Sequence, residues 1–234
     1  MKNLRTFLKN KRGPSDLPER LSAYIDSLSL GYLEYFEDWI ESDFKSPAPI
    51  HIKWTVLNRW KSGEHWVETG TLWGETTEFL SKQGFKVITI EPSKELAELA
   101  SKRFAFNENV KVWNDLSENC LHRAIATHLE GEACGISFWL DGHYSGEGTH
   151  KGPVETPILG ELTTISNFIQ KFSEVSVFVD DIRLFNDANI KHKDYPRLDS
   201  LVAWANENSL SWTIEQDIFI ATNNKNAISN YVNK

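Results

Sequence analysis

Apolar residues recur along this chain in two alternating rhythms. From Trp66 onward, short apolar runs alternate with stretches whose apolar positions return every three or four residues. Trp66-Val67 closes the first run and leads into Glu68. Lys86–Ile90, Val110–Trp113, Gly135–Leu140 and Val175–Val179 read as further strands. Helical spacing runs from Thr76 to Gly84, from Lys94 to Phe104 with Ser93 as its cap, and from Ser117 to about Leu129. Another helix opens at Thr156-Pro157, with proline where a first turn favours it, and runs to about Phe172. Leu198 to Asn208 is helical. Ser211 to Thr222 reads as one long strand or as a hairpin bending near Gln216-Asp217. Strands alternating with helices imply βαβ units. The expected fold class is α/β: a Rossmann-like, doubly wound, mostly parallel seven-stranded sheet with an N-terminal helical extension.

The extension covers residues 1–60, and the main domain residues 61–234. Leu21, Tyr24, Ile25 and Leu28 recur at helical spacing. Leu33, Tyr35, Phe36, Trp39 and Ile40 do so again before Pro47-Ala48-Pro49. A third helix, around Ile52 to Trp60, leads into the main fold. The extension is expected to pack on the domain, to cover its site as a lid, or to serve as the arm of a homodimer.

Charge and composition narrow the partners. The chain carries a formal net charge of -8, which argues against nucleic acid, because neutralising phosphates needs a basic surface. No apolar run approaches the roughly 20 residues that span a bilayer, so no membrane role is expected. The basic start, Met1 to Gly13, lacks the apolar core of a secretory signal. Cys120 and Cys134 have no metal-site neighbours in sequence and suggest reduced thiols. A cytoplasmic location is the expectation.

The chemistry gathers at the strand ends. Glu68, Glu91, Asp115, Asp141 and Asp180 each close one of five successive strands, on one rim of a parallel sheet. So many carboxylates repel one another unless something cationic sits among them. A phosphate ligand would be repelled there, whereas a sulfonium, an amine, a ribose diol or a divalent metal would not. The first loop agrees. In Glu68-Thr69-Gly70-Thr71-Leu72-Trp73-Gly74, Leu72 stands where a dinucleotide fingerprint needs its second glycine, and the loop has no basic residue. Glu91 follows Glu68 at about the distance usual for a carboxylate that grips ribose hydroxyls. The pattern suits a nucleoside without phosphates.

From Trp66 to Thr222 these residues resemble the class I S-adenosylmethionine-dependent methyltransferases. The resemblance implies that Glu68, Gly70, Thr71 and Gly74 hold the amino acid part of the cofactor and that Glu91 holds its ribose. It places Asp115, Leu116 or Ser117 at the adenine, since Asn114-Asp115-Leu116-Ser117 departs from the family's usual wording. A narrower likeness follows. Phe138-Trp-Leu-Asp-Gly-His143 and Phe178-Val-Asp-Asp181 resemble the metal-dependent O-methyltransferases that modify small molecules and sugars. That likeness implies Mg²⁺ on Asp141, Asp180 and Asp181. Mg²⁺ favours oxygen ligands in an octahedron, with positions left for water and substrate. Adjacent strand residues point to opposite faces, so Asp180 and Asp181 can share an ion only if the backbone leaves the strand there. Asp141 also lies near the expected methionine part of the cofactor.

His143, two residues beyond Asp141 in a Gly-rich loop, has the ordinary pKa that suits a general base. Ser145–Lys151 and Arg183–Arg197 could cover the site, and the basic residues of the second segment suit an anionic acceptor. The expectation is an S-adenosylmethionine-dependent, Mg²⁺-assisted O-methyltransferase whose partner is a small hydroxylated acceptor such as a sugar. Its rivals are a metal-free methyltransferase, a non-catalytic nucleotide-sugar-binding module, and an NAD enzyme, the last disfavoured by Leu72.

Overall fold

The computed structural model describes residues 30–129, 135–142, 156–186 and 194–232. The chain divides into two units, Met1–Ile50 and His51–Lys234. In the first, helix α1 (Leu30–Glu41) carries Phe36 and Trp39 with ring centroids 5.7 Å apart, and Trp39 meets Phe44 edge-on at 5.0 Å. The helix expected around Leu21 to Leu28 lies outside the described residues.

The second unit begins within helix α2 (Ile50–Trp60) and continues through β1 (His65–Thr69), α3 (Glu75–Lys82), β2 (Lys86–Ile90), α4 (Lys94–Arg103), β3 (Val110–Trp113) and α5 (Ser117–Leu129). It goes on with β4 (Gly135–Leu140), α6 (Ile158–Ser166), β5 (Glu174–Val179), α7 (Leu198–Glu207), β6 (Ser211–Glu215), β7 (Ile218–Thr222) and α8 (Lys225–Val232). Sheet order is β3-β2-β1-β4-β5-β7-β6. The first five strands pair in parallel, and β7 runs antiparallel between β5 and β6. This is the mostly parallel, Rossmann-like sheet of seven strands that the sequence pattern calls for. No helix among the described residues is long and apolar enough to cross a membrane.

One open expectation is decided, and two elements differ. Ser211 to Thr222 is a hairpin, and its two turn residues, Gln216 and Asp217, both have positive φ (51° and 67°), as a tight primed turn requires. The helix opened by Pro157 stops at Ser166, short of Phe172. There the bonds shorten to three-residue steps, Asn167 N–H to Thr164 O and Phe168 N–H to Ile165 O, and a 3₁₀ turn (Ile169–Lys171) follows. Helix α8 has no counterpart among the expected elements. It starts because the Asn224 carboxamide oxygen accepts from Asn226 N–H and Ala227 N–H.

The central strands β1, β2, β4, β5 and β7 bury both faces, and their side chains sort by the period of two. Val67, Ile88, Ile90, Phe138, Leu140, Val175, Val177, Val179, Phe219 and Ala221 form one face, packed with Leu121 and Ile125 of α5, Leu162 and Ile165 of α6 and Leu201 of α7. Trp66, Val87, Trp139, Phe178, Ile218 and Ile220 form the other, packed with Val56, Leu57 and Trp60 of α2, Leu80 of α3 and Ala227 of α8. Trp66 stacks on Phe178 at 5.7 Å through the middle of that second layer. With β1 and β4 adjacent, the chain leaves the sheet centre in opposite directions on either side of them. That crevice at the carboxyl edge is where ligands of open α/β sheets bind.

Candidate functional site at the carboxyl edge

The ladder continues one step past the strands. Glu91 N–H donates to Trp113 O, Asp141 N–H to Thr69 O and Asp180 N–H to Leu140 O, at 2.9, 3.1 and 3.1 Å. Glu91, Asp141 and Asp180 are therefore held at one level of the rim. Asp115 follows β3 two residues beyond its end. Glu68 lies one position inside β1, because pairing runs on to Thr69.

Two glycines shape the first loop. Gly70 has φ +86°, and a Cβ there would stand 2.5 Å from the carbonyl oxygen of Asp141. Only a residue without a side chain lets the β1 loop close against the β4 loop. Gly74, at φ +77°, caps α3 where a Cβ would meet the Phe104 ring at 2.8 Å. Between them Leu72 adopts φ +48°, and its N–H donates to Glu91 Oε2 at 2.9 Å. The other oxygen of Glu91 accepts from Ser93 N–H, also at 2.9 Å. Glu91 thus ties the β1 loop to the turn after β2. Each carboxylate oxygen keeps a second lone pair for a ligand hydroxyl.

Below the loop, Glu68 is 1% exposed and accepts from the Thr77 hydroxyl of α3. Burial pushes its carboxyl up to about 7; hydrogen bonds from Thr77 and Thr89 pull it down and the Glu91 charge adds to the rise. The hydroxyls of Thr71 and Thr89 lie 2.5 Å apart, fixing Thr71 to β2. Beyond β3, Asp115 accepts from Leu116 N–H at 2.8 Å and from the Asn119 side-chain amide at 2.9 Å, and Arg123 stands 3.5 Å from its other oxygen. Ser117, the first residue of α5, is buried.

The β4–β5 side is built differently. Asp181 has φ +55°, so the chain leaves the strand direction there and enters a 3₁₀ turn, Ile182–Leu184. The two adjacent carboxylates therefore converge on one point, and that point holds the ammonium of Lys53 from α2. Nζ lies 2.6 Å from both oxygens of Asp180 and 3.3 Å from Asp181 Oδ1. Lys53 is 6% exposed. Burial alone would lower its pKa; Asp180, Asp181 and Asp141 outweigh that and raise it. Arg183 donates to Asp181 Oδ1 at 2.6 Å and pairs with Asp217, whose other oxygen accepts Arg183 N–H at 2.9 Å. Those two carboxylates hold Arg183 above its ordinary pKa against the opposing effect of burial.

The structure therefore gathers Glu68, Gly70, Thr71, Gly74, Glu91 and Asp141 around one crevice, with Asp115 and Ser117 beside it at the third strand. It brings Asp180 and Asp181 together, and onto a side chain the sequence reading passed over. Among the described residues no group of three His, Cys, Asp or Glu side chains is arranged to hold a metal ion. The Asp180–Asp181 donors suit a cation, yet an ion at their meeting point would have to displace Lys53. His143 and the loop Ser145–Lys151 lie outside the described residues, as do residues 187–193 of the second covering segment.

Glu161 of α6 also belongs to this edge. It is 1% exposed, and a Cβ on Gly142 would stand 3.6 Å from its Oε1 and 3.2 Å from the Thr69 hydroxyl. A Glu at a core position of an apolar helix is the sequence signal for it, as Lys53 is for α2.

No family model matches the chain, and no curated protein matches it. Among solved structures it is similar to the methyltransferase domain of bacterial CtHen1 (TM-score 0.45, 11% identity, 74% of this chain and 95% of that one). It is similar to an rRNA methylase from Streptococcus thermophilus (TM-score 0.45, 15% identity, 75% and 95%). SMU.1697c from Streptococcus mutans, solved in complex with S-adenosylhomocysteine, gives TM-score 0.44 and 14% identity over 75% and 96%.

Proposed function

We propose that this protein is an S-adenosylmethionine-dependent methyltransferase acting on a hydroxyl of a small molecule. The observation that carries the reading is the crevice between β1 and β4: a glycine loop closed onto Asp141, clamped by Glu91, lined with acids and free of basic residues from Glu68 to Gly74. Such a crevice suits a nucleoside that bears positive charge and no phosphate. When bound, S-adenosylmethionine supplies a methyl group on a sulfonium, ready for transfer to a nucleophilic oxygen.

The chain's own residues then have distinct tasks. Glu91, at the second strand end, is placed to accept from ribose hydroxyls with the lone pairs its backbone donors leave. Gly70, Thr71 and Gly74 shape the floor for the amino acid part, above Glu68. The Asp115 carboxylate is engaged by Leu116 N–H, the Asn119 amide and Arg123, so the adenine edge is assigned to the backbone of Leu116 and Ser117. Asp141 adds negative charge at the methyl end. His143 is the proposed base for the acceptor proton. Holding two reactants in line contributes about 7–11 kcal/mol to such transfers, and the rigid rim supports that role. Mg²⁺ assistance was the finer expectation. Lys53 fills the point the ion would take, so the reading adopted is metal-free. The net charge of -8 favours a small acceptor over nucleic acid. A homodimer through the N-terminal helices is part of the proposal, and sedimentation velocity tests it separately.

Calorimetry with S-adenosylhomocysteine tests the core of the reading. The full chain should bind one equivalent, and Glu91→Ala should weaken binding by about 1.5–3 kcal/mol, the worth of a hydrogen bond to a charged group. A folded wild-type protein that binds neither S-adenosylhomocysteine nor S-adenosylmethionine would overturn it.

A further inference from the structure

We infer that Lys53 is the resident cation of the acidic rim: its ammonium occupies the single point on which Asp180 and Asp181 converge and positions both carboxylates without a metal ion. Three observations carry this. Nζ stands 2.6 Å from each oxygen of Asp180 and 3.3 Å from Asp181, a geometry that uses both acids at once. The side chain is buried, which a lysine tolerates only when paired. It also comes from α2, whose Val56, Leu57 and Trp60 are locked into the core beneath β1 and β5, so the ammonium is delivered by a rigid element.

An ammonium and a divalent ion are alternatives here. Mg²⁺ needs carboxylate oxygens at about 2.0–2.1 Å in an octahedron, and the same oxygens cannot also bracket Nζ. The two fillers differ in consequence. An ammonium on a four-carbon stem cannot leave with product or exchange with solvent ions. The rim is therefore preset, and its geometry is independent of metal supply. Arg183 extends the arrangement, joining Asp181 to Asp217 in the β6–β7 turn, so a single cationic chain links α2, β5 and the hairpin. Lys53 is in this sense a positioning residue. Its bearing on methyl transfer rests on the proposed function, whereas its place between the carboxylates does not.

Manganese titration of the full-length chain, followed by electron paramagnetic resonance, tests the inference, with Mn²⁺ alone as probe. The wild type should show no stoichiometric site. Lys53→Met, which keeps the stem and removes the charge, should gain one site at least tenfold tighter than any wild-type binding. Adding Asp181→Asn should abolish that gain, and Lys53→Arg should behave as wild type. One Mn²⁺ bound by the wild type and lost in Asp181→Asn would overturn the inference. So would a folded Lys53→Met that binds none. Should Lys53→Met not fold, the wild-type and Asp181→Asn titrations decide alone. S-adenosylhomocysteine binding is measured on the same wild-type sample. Its absence would sink the methyltransferase reading and leave the Mn²⁺ result standing.

Discussion

Replacing Lys53 by methionine should cost this fold a large part of its stability, and the loss should depend on pH. The perturbation is narrow: methionine keeps the apolar stem among the α2 contacts and deletes only the ammonium. What remains is Asp180, whose side chain is 4% exposed, beside Asp181 at 13%. Removing one partner of a buried ion pair costs about 3–5 kcal/mol, because the other charge is left uncompensated. Against a total stability of about 5–15 kcal/mol, that is a third or more in a marginal protein. The sign with pH follows from linkage. Without Lys53, burial and the Asp181 charge push the Asp180 carboxyl above its unfolded value, and only the hydrogen bond from the Asp181 backbone is left to lower it. An acid with a raised folded pKa destabilises increasingly as pH climbs above the unfolded pKa. The deficit of Lys53→Met should therefore be largest at neutral pH and shrink towards pH 4. Urea denaturation of both proteins at pH 7 and pH 5 reads it directly. Lys53→Met/Asp180→Asn should recover at least half of the loss at pH 7, since a neutral side chain tolerates the site better than an orphaned charge. A deficit under about 1 kcal/mol that is the same at both pH values, with no recovery in the double variant, would show that the ion pair does not act as argued.

Three further outcomes are expected. Glu68, with its carboxyl pushed up to about 7, contributes stability that is complete below its unfolded pKa and is lost as pH rises through 7. Glu68→Gln should remove that decline, worth on the order of 3 kcal/mol between pH 4.5 and 8, and urea melts across that range would fail to show it if the group is ordinary. His128 behaves oppositely: burial pushes it down to about 4, its Nε2 donates to the Trp66 carbonyl at 2.9 Å, and its Nδ1 faces His65 Nδ1 at 2.8 Å. Its contribution is complete above the unfolded value and is lost as pH falls towards 4, so His128→Gln should flatten the acid limb of the wild-type curve. Gly70→Ala forces a Cβ into the Asp141 carbonyl at φ +86° and should cost about 2–4 kcal/mol and at least tenfold in S-adenosylhomocysteine affinity, measured by thermal melting and calorimetry.

Much of this fold is legible in the chain because short-range rules decide it. The short apolar runs at Trp66-Val67, Lys86–Ile90 and Val175–Val179 are strands of the buried sheet, and Ser93 caps α4 by accepting from Leu96 N–H, as its place before Lys94 suggests. What escapes reading depends on distant partners. Lys53 stands among Val56, Leu57 and Trp60 on the buried stripe of α2, so its charge signals that a carboxylate must meet it. Which carboxylate is settled only by the fold, which brings together positions 127 residues apart. Sequence places the rim acids at strand ends but does not show their partners within the chain. Glu91 as a clamp and Asp180 as an ion-pair partner are set by donors from other segments. Helix α8 escapes for another reason: its start is asparagine-rich, and its cap lies in the side-chain amide of Asn224.

The crowding of acids on one edge thus resolves into two solutions of the same electrostatic problem. On the β1–β3 side the innermost carboxylates are satisfied by backbone N–H groups and hydroxyls, Leu72 and Ser93 for Glu91 and Thr77 for Glu68, and only the outlying Asp115 also meets a cation, the exposed Arg123. Dipoles of this kind stabilise a carboxylate without cancelling its charge. On the β4–β5 side, full charges face Asp180, Asp181 and Asp217, with Lys53 and Arg183 between them. Among the described residues those two cations leave the acids, with Asp141 counted, in excess. A site so arranged favours a ligand that is itself positive at the β1–β4 crevice and is neutral or hydroxylated where the ammonium and guanidinium lie. On the proposed reading the sulfonium and α-ammonium meet the first need and the acceptor the second. The asymmetry would then set the direction of the transfer, with the methyl donor on the uncancelled side and the acceptor oxygen beside the cations.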